Sequence, residues 1–255
     1  MNSTAHRFLH ERLAREWPRE RLVTDALRRL AWGGDASFYR LVPQLIVVIE
    51  SEAELLRLLA HARELKTPLT FRAAGTSLSG QAVSDSVLVM LGDGWQGCRV
   101  GEGGWTISLQ PGVIGAQANR RLLPFQRKIG PDPASIDAAM IGGIAANNAS
   151  GMCCGTAQNS YRTLQAMRVV LADGSVLDSA DAASREAFAR QRPELLAGLA
   201  GLSAELRADA ALAARIRHKF RIKNTTGYSL NALLDHDDPI DILTHLMIGS
   251  EGTLG

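Results

Sequence analysis

Residues 130–160 read GPDPASIDAAMIGGIAANNASGMCCGTAQNS, and this stretch is the best guide to the fold of the chain. It is long and poor in large apolar residues, which is not typical of a packed helix or strand. Its small and amide-bearing residues allow close approach of the backbone and can present N–H and C=O groups. A long irregular segment in a compact domain is usually functional or disordered. Because apolar periodicity surrounds it, we expect the stretch to form a wall of a ligand site.

The residues outside this stretch predict regular structure. The Ser51 side chain can accept the amide of Glu54, and Glu54 can reach back to the Ser51 amide, a capping box that begins a helix after an apolar strand. Strand, helix and strand at this spacing indicate a parallel βαβ unit. The predicted elements are one or two amphipathic helices over 6–30, strands at 45–49, 69–71, 87–91 and 105–110, a helix ending before Pro68, a helix over 114–122, a hairpin of 168–171 with 175–177, two helices within 183–216, and a helix or helix–strand over 240–248.

Composition excludes several classes of protein. The 255 residues are 46% hydrophobic and 21% charged, with a net charge of +2, which is ordinary for a globular protein and gives no basis for nucleic-acid binding. The sequence shows neither an apolar run long enough to span a membrane nor the apolar core of a signal peptide. We expect a cytoplasmic location, with peripheral attachment to the inner membrane through a longer protein as an alternative. The ending GSEGTLG suggests a fragment of such a protein.

A second loop, FRAAGTSLSGQ at 71–81, directly follows a predicted strand. Gly75 and Gly80 permit positive φ, and successive amides in such a turn form a concave anion site suited to a phosphate or pyrophosphate. The alternative is a tight turn without a ligand. The loop has neither the glycine spacing of a Rossmann fingerprint nor the Gly-Lys-Ser/Thr of a P-loop.

The three loops 71–81, 130–160 and 249–255 lie far apart in sequence, so a ligand that touches all of them must be large. A dinucleotide has that size. The alternative for the 130–160 stretch is a Gly/Ala-rich segment packed on a helix. Glu251, between two glycines, looks like an exposed carboxylate on a turn.

These motifs together resemble the FAD-binding domain of the vanillyl-alcohol oxidase / p-cresol methylhydroxylase flavoproteins. The resemblance rests on PLTFRAAGTSLSGQAV, GPDPASID with GGIAANNASG, the LADG hairpin and GSEGTLG, in that order. Within the family the chain is most similar to the D-lactate and glycolate dehydrogenase branch, including bacterial D-lactate dehydrogenases with a downstream iron–sulfur domain. The implied fold is α+β, with FAD stretched between a small βαβ-containing N-terminal subdomain and a second mixed subdomain. The implied domains are a helical extension at 1–40 and the FAD-binding domain at 41–255.

The resemblance also implies which residues bind FAD. The loop after the strand would hold the pyrophosphate, the 130–160 stretch would line the flavin side, and the terminal turn would make the last contact. The implied residues are Arg72, Ala73, Ala74, Gly75, Thr76, Ser77, Gly80 and Gln81 for the first group, Asp132, Pro133, Ser135, Asp137, Gly142, Gly143, Asn147, Asn148, Ser150 and Gly151 for the second, and Glu251, Gly252 and Thr253 for the third.

The resemblance implies oxidation of a 2-hydroxy acid, most simply D-lactate, with electrons passed to a non-oxygen acceptor such as a quinone or cytochrome. D-2-hydroxyglutarate or glycolate dehydrogenase, an ether-lipid synthase and a non-catalytic FAD-binding fragment are the alternatives. We expect non-covalent FAD, with Cys98, Cys153 and Cys154 as small buried thiols. We expect no metal site, because the six histidines show no metal-ligand spacing. The resemblance implies that the catalytic residues, and any iron–sulfur cluster, lie in a substrate domain beyond residue 255, so we expect no catalytic residue here.

Overall fold

A computed structural model of the chain describes residues 4–225 and 227–255, which divide into two compact units. The first unit takes the described part of Met1–Ile129 together with Ser135–Gly143, and the second takes Gly130–Ala134 together with Ile144–Gly255. Within these described residues, no helix is both long and apolar enough to cross a membrane.

Strands are concentrated in the first unit and helices in the second. The first unit contains α1 (Thr4–Leu13), β1 (Leu22–Val23), α2 (Ala26–Ala31), β2 (Leu45–Ile49), α3 (Glu52–Glu64), β3 (Leu69–Arg72), β4 (Val87–Leu91), β5 (Cys98–Val100), β6 (Ile107–Leu109) and α4 (Gly115–Leu122). Helix α5 (Ile141–Asn147) is divided between the units. The second unit contains α6 (Ser160–Thr163), β7 (Arg168–Val170), β8 (Val176–Asp178), α7 (Ala182–Gln191), α8 (Pro193–Ala208), α9 (Ala210–Lys219), α10 (Ala232–Asp235) and α11 (Pro239–Leu246).

The predicted βαβ unit is confirmed in the four-stranded sheet, whose order is β1-β2-β4-β3. Both β2 and β3 run parallel to β4, which lies between them, and β1 is antiparallel to β2. Strands β2 and β4 are buried on both faces, as expected for parallel strands, whereas Phe71 of the edge strand β3 is exposed. Val47 packs with Leu58 of α3 on one face, and Ile46 packs with Val23 on the other.

Of the two hydrogen bonds predicted for the capping box of α3, the structure contains one. The Ser51 hydroxyl accepts the Glu54 amide at 3.3 Å, as expected. The Glu54 carboxylate, however, accepts the amide of Glu50 at 2.7 Å and receives two hydrogen bonds from Arg21 at 2.8 and 3.0 Å. The expected return bond to the Ser51 amide is therefore replaced, because the bidentate guanidinium holds the carboxylate one residue further back.

The N-terminal segment is built into the first unit. Leu9, Leu13 and Trp17 are buried in the same cluster as β2 and β4, and β1 is an edge strand of the sheet. The domain boundary between residues 40 and 41 stays a prediction.

The second unit packs helices against a short hairpin. Leu177, Phe188 and Ile242 lie at its core and are at most 1% exposed. Three helices replace the two predicted between residues 183 and 216. Pro193 begins α8, and the Asp209 side chain accepts the Leu212 amide at 2.9 Å to begin α9, so both breaks have local causes.

The expectation that 130–160 contains no packed helix is wrong. Helix α5 forms within it and α6 begins at its end. Alanine has the highest helix propensity, and Ile144, 2% exposed, anchors α5 by burial. The helix ends in a Schellman motif, in which the Asn148 amide donates to Ala145 and the Ala149 amide donates to Ile144, with Asn148 at φ 50°.

Candidate cofactor site

Residues 72–81, which are the last residue of β3 and the loop that follows, form a turn of the first unit that we call the 72–81 loop. Gly75 and Gly80 adopt φ of 71° and 79°, as predicted. The Ser77 hydroxyl accepts the amides of Ser79 at 3.2 Å and Gln81 at 3.4 Å, which closes the second half of the turn. Within residues 4–225 and 227–255, the amides of 74–77 donate no hydrogen bond to protein. Such consecutive free amides form an anion-binding concavity.

The side chain of Arg72 is buried beneath this loop and is 7% exposed. Its guanidinium donates to the carbonyl of Gly34 at 2.8 Å and lies 5.1 Å from the centre of the Trp32 ring. Among the described residues it has no ion pair, and its Nε has no acceptor. Burial lowers the pKa of Arg72, while the charge of Asp35 acts in the opposite direction. The loop is therefore backed by a buried positive charge that lacks a close anion.

Gly75 makes this arrangement sterically feasible. A Cβ at this position would lie 2.6 Å from Nε and from Cζ of Arg72. The side chain of any other residue would therefore occupy the space that the guanidinium fills. This cradle fits a doubly charged pyrophosphate, since the amides and the guanidinium both favour negative charge.

Four of the predicted cofactor-binding residues in the 130–160 stretch lie in the first unit. The Ser135 carbonyl accepts the amides of Ala138 and Ala139 in a turn on which Asp137 is exposed. The Gly142 amide donates to Pro111 at 2.9 Å. A Cβ on Gly143 would lie 3.6 Å from Cβ of Ala73, so the first unit brings this part of the stretch against the 72–81 loop.

In the second unit, Asp132 and Gly151 form one structure. Asp132 Oδ1 accepts the amide of Gly151 at 3.0 Å and the amide of Cys154 at 3.3 Å. A Cβ on Gly151 would overlap the Asp132 carbonyl oxygen and lie 2.6 Å from Oδ1. Pro133 is buried beside them. Asp132 therefore orders the 151–154 backbone with its carboxylate.

The end of α5 meets the terminal turn within the second unit. The amides of Gly249 and Glu251 donate to the carbonyls of Ala145 at 3.1 Å and Ala146 at 2.9 Å. The Asn147 amide group donates to the Glu251 carboxylate. The expectation of an exposed Glu251 is wrong, because the side chain is partly buried and burial raises its pKa. Its φ of 53° is unusual for a non-glycine residue and requires support from these bonds.

The remaining predicted residues of the second unit differ in their contacts. The Asn148 side chain is buried and accepts the Tyr161 amide at 3.3 Å. The Ser150 carbonyl accepts Lys223 Nζ at 2.6 Å. Thr253 Oγ1 contacts the Tyr228 hydroxyl at 2.7 Å, and Gly252 is exposed with φ 73°.

The prediction of buried thiols holds for Cys154 alone. Cys153 is exposed and Cys98 is half-buried, in a strand that the sequence analysis missed. In the part of the chain that the structure describes, no group of three or more His, Cys, Asp or Glu residues could hold a metal ion.

Sequence reasoning missed an aromatic and acidic cluster in the second unit. The Tyr161 hydroxyl donates to Asp235 at 3.0 Å, and its ring lies edge-on to His245 at 5.1 Å. His236 and His245 stack at 3.9 Å between ring centres. Burial, followed by the charge of Asp235, raises the pKa of Tyr161, so the phenol stays protonated. These histidines look isolated along the chain, and no sequence motif joins them.

Comparisons with known proteins identify the family to which the chain belongs. Residues 43–180 match the family described as FAD binding domain. D-2-hydroxyglutarate dehydrogenase of Haemophilus influenzae is 27% identical over 246 residues, covering 91% of this chain and 24% of that protein. Glycolate oxidase subunit GlcD of Escherichia coli K12 is 31% identical over 143 residues, covering 55% of this chain and 29% of that protein. The chain thus spans about a quarter of the length of these curated relatives.

Solved structures share the fold. Alkyldihydroxyacetonephosphate synthase superposes with a TM-score of 0.58 at 20% identity, covering 68% of this chain and 38% of that chain. 6-Hydroxy-D-nicotine oxidase from Arthrobacter nicotinovorans gives a TM-score of 0.54 at 17% identity, covering 68% and 37%. The expected α+β fold of the p-cresol methylhydroxylase type is therefore confirmed. The family match covers more than half of the residues of the chain, so the chain belongs to the FAD-binding-domain family of these flavoproteins.

Proposed function

We propose that the chain is the FAD-binding part of a flavin-dependent dehydrogenase that oxidises a 2-hydroxy acid. The observation that carries the proposal is the 72–81 loop, where four free amides lie over the buried, unpaired charge of Arg72. FAD, when bound, would supply the redox chemistry by accepting a hydride, and the protein would bind and orient it.

The residues divide by role. In the first unit, the 72–77 backbone with Gly80 and Gln81 would hold the pyrophosphate, and Arg72 would act through its charge from below. Ser135, Asp137, Gly142 and Gly143 would present backbone and small side chains to the cofactor. Gly143 lies beside Ala73, since a Cβ on Gly143 would be 3.6 Å from Cβ of Ala73, so this part of the stretch is adjacent to the proposed pyrophosphate loop.

In the second unit, several predicted residues would act by ordering backbone. Asp132 holds the 151–154 segment, and Asn148 holds the amide of Tyr161. Asn147 fixes the Glu251 carboxylate. We therefore propose that the segments positioned by these four hydrogen bonds contact FAD through Pro133, Ser150, Gly151, Gly252 and Thr253.

We retain non-covalent attachment of FAD as a proposal. Cys154 is buried and held near the carbonyls of Gly151 and Gly155, so its thiol is poorly placed for attachment. Cys153 is exposed and is the thiol to test. Flavin that is released by denaturing the holoprotein, and removed by a desalting column, would support non-covalent binding, whereas flavin that stays with the Cys153 peptide would refute it.

The substrate is the finer part of the proposal. The sequence motifs suggest D-lactate, but the relatives that cover nine-tenths of the chain are named D-2-hydroxyglutarate dehydrogenases. We therefore place D-2-hydroxyglutarate first, with D-lactate and glycolate as the competing substrates. A quinone or cytochrome is the proposed acceptor.

Two experiments test these proposals. Titration of the chain with FAD, followed by quenching of flavin fluorescence, should show saturable binding. Arg72→Met should weaken this binding at least about tenfold, because the buried positive charge beneath the loop is lost. Arg99→Met, at an exposed strand position, is the matched control. Equal affinity in all three proteins would refute the role of the loop.

The second experiment measures dye reduction by the complete protein with D-2-hydroxyglutarate, D-lactate and glycolate. We expect the largest kcat/KM with the first and no turnover by the present chain alone. Preference for D-lactate would favour the sequence-based expectation, and no activity with any of the three would refute the substrate class.

A further inference from the structure

An open cavity of about 440 Å³ lies in the first unit between α4 and the start of β5. It is separate in sequence from every residue proposed to bind FAD. Its size is within the range of small-molecule sites. We call it the α4 cavity, and its lining residues are Gln96, Cys98, Val113, Gln117, Arg120 and Arg121.

The charge of the α4 cavity is uniformly positive. Arg120 and Arg121 line it, and none of the lining residues is acidic. Within residues 4–225 and 227–255, neither guanidinium forms an ion pair or a hydrogen bond. Elsewhere in the chain, by contrast, Arg21 and Arg185 are each paired with carboxylates at 2.7–2.8 Å. The cavity therefore concentrates two uncompensated charges.

The polar donors of the cavity are oriented by local bonds. Gln117 Oε1 accepts the amide of Ile114 at 3.2 Å, so its NH₂ group remains available as a donor. The Gln96 NH₂ group is partly engaged by Asp93 at 3.2 Å. Val113 and the Cys98 thiol supply the less polar wall.

We propose that the α4 cavity binds a small multivalent oxyanion, an organic molecule that carries two or more carboxylate or phosphate groups. Guanidinium groups bind such oxygens in pairs, and adjacent arginines on a helix suit two anionic groups rather than one. Both arginines lie in the last turn of α4, where the helix dipole stabilises positive charge. That stabilisation does not explain the presence of the cavity beside them.

The cavity contains its own reporter, because Cys98 is half-buried in its wall. Alkylation of the full chain by iodoacetamide, followed by peptide mass spectrometry, measures the reaction rates of Cys98 and of exposed Cys153 in one sample. Citrate and pyrophosphate are the two probes, compared with sodium chloride at equal ionic strength. When one probe is present at twice its Kd, we expect the alkylation rate of Cys98 to fall about threefold and the rate of Cys153 to stay unchanged. Which probe protects identifies a carboxylate or a phosphate ligand.

The test variant carries both Arg120→Gln and Arg121→Gln. The control variant is Arg99→Gln, because Arg99 follows Cys98 in β5 but does not line the cavity. Protection should vanish in the double variant and persist in Arg99→Gln. Protection by chloride, protection that survives the double substitution, or no protection of the wild type would overturn the proposal. Protection by FAD alone would assign the cavity to the cofactor instead.

A second measurement does not depend on the folding of the variant. In the wild type, anionic iodoacetate should react with Cys98 faster relative to iodoacetamide than it does with Cys153, because two guanidinium groups attract the anion. An equal ratio at both thiols would contradict the positive potential that the proposal requires.

Discussion

Gly75 packs against the guanidinium of Arg72, with its missing side chain leaving the space that the charged group fills. Gly75 thus has two roles. It adopts the φ of 71° that the turn requires, and its lack of a side chain allows the Arg72 guanidinium to be buried beneath the loop.

Substitution Gly75→Ala should destabilise the first unit. A left-handed alanine costs about 1–2 kcal/mol, and displacement of Arg72 adds to that cost. Gly155→Ala is the control, since Gly155 has φ of 53° but nothing within 4 Å of a Cβ. Urea denaturation should show a larger loss for Gly75→Ala than for Gly155→Ala. Equal losses would mean that the contact with Arg72 contributes nothing.

Gly151→Ala should disrupt the 151–154 segment, because the added Cβ would overlap the Asp132 carbonyl. We expect a loss of about 1–3 kcal/mol, the range for overpacking, together with faster hydrogen exchange at the amides of Gly151 and Cys154. The contrasting variant is Gly198→Ala in α8, where the site is open. There, alanine should stabilise the helix by about 0.5–1 kcal/mol. Unchanged exchange in Gly151→Ala would refute the steric argument.

The stability of the chain should depend on the ionisation of Glu251. Burial raises the pKa of this carboxyl above 4.5, while the Asn147 bond opposes the shift. The folded chain then binds a proton more readily than the unfolded chain, so the free energy of unfolding falls as pH rises from 4.5 through the raised pKa. Glu251→Gln should remove this part of the pH dependence in urea denaturation. The same slope in both proteins would contradict the burial of Glu251.

His236 should give a pH dependence of the opposite sign. Burial and the neighbouring His245 lower its pKa from 6.5, although Asp235 and Asp241 act against them and Arg162 acts with them. The unfolded chain therefore binds the proton more readily, and stability is lost as pH falls through 6.5. Melting temperatures measured between pH 5 and pH 8 should depend less on pH in His236→Gln than in the wild type at pH values below about 6.5. His218→Gln, at an exposed helical position, is the control for the removal of an imidazole elsewhere in the second unit.

Tyr161→Phe tests the hydrogen bond to Asp235 apart from the aromatic packing. The ring contact with His245 is retained, and Asp235 keeps the bond from Asn231 at 2.9 Å. We expect a loss of about 0.5–1.5 kcal/mol, the usual value for one hydrogen bond. Tyr161→Ala should cost more, since it also leaves a cavity. Chemical denaturation distinguishes the two, and equal losses would mean that ring packing carries no stability.

Local signals predicted the framework of the first unit. The apolar run at 45–49 and the Ser51 cap act over a few residues, so both are visible in the sequence. The glycine φ values at 75 and 80 were equally predictable, because the turn itself demands them.

The remaining features depend on contacts between distant residues. Asp132 and Gly151 are separated by 19 residues, and Tyr161 and Asp235 by 74. Such bonds determine that Asp132 and Asn148 order the backbone of other segments. Propensity carries no information about partners at this range.

The division of residues 130–143 between the units affects how the chain is made. The chain crosses from one unit to the other three times between residues 129 and 144, at 129/130, 134/135 and 143/144. The amides of Gly115 and Ala116 bond to Ala139 and Ile136, so the first unit includes partners encoded after the second unit has begun. During synthesis, the first unit can complete its hydrogen bonds only after Gly143 has left the ribosome. A gene cut at residue 129 would therefore release a fragment lacking part of its own core.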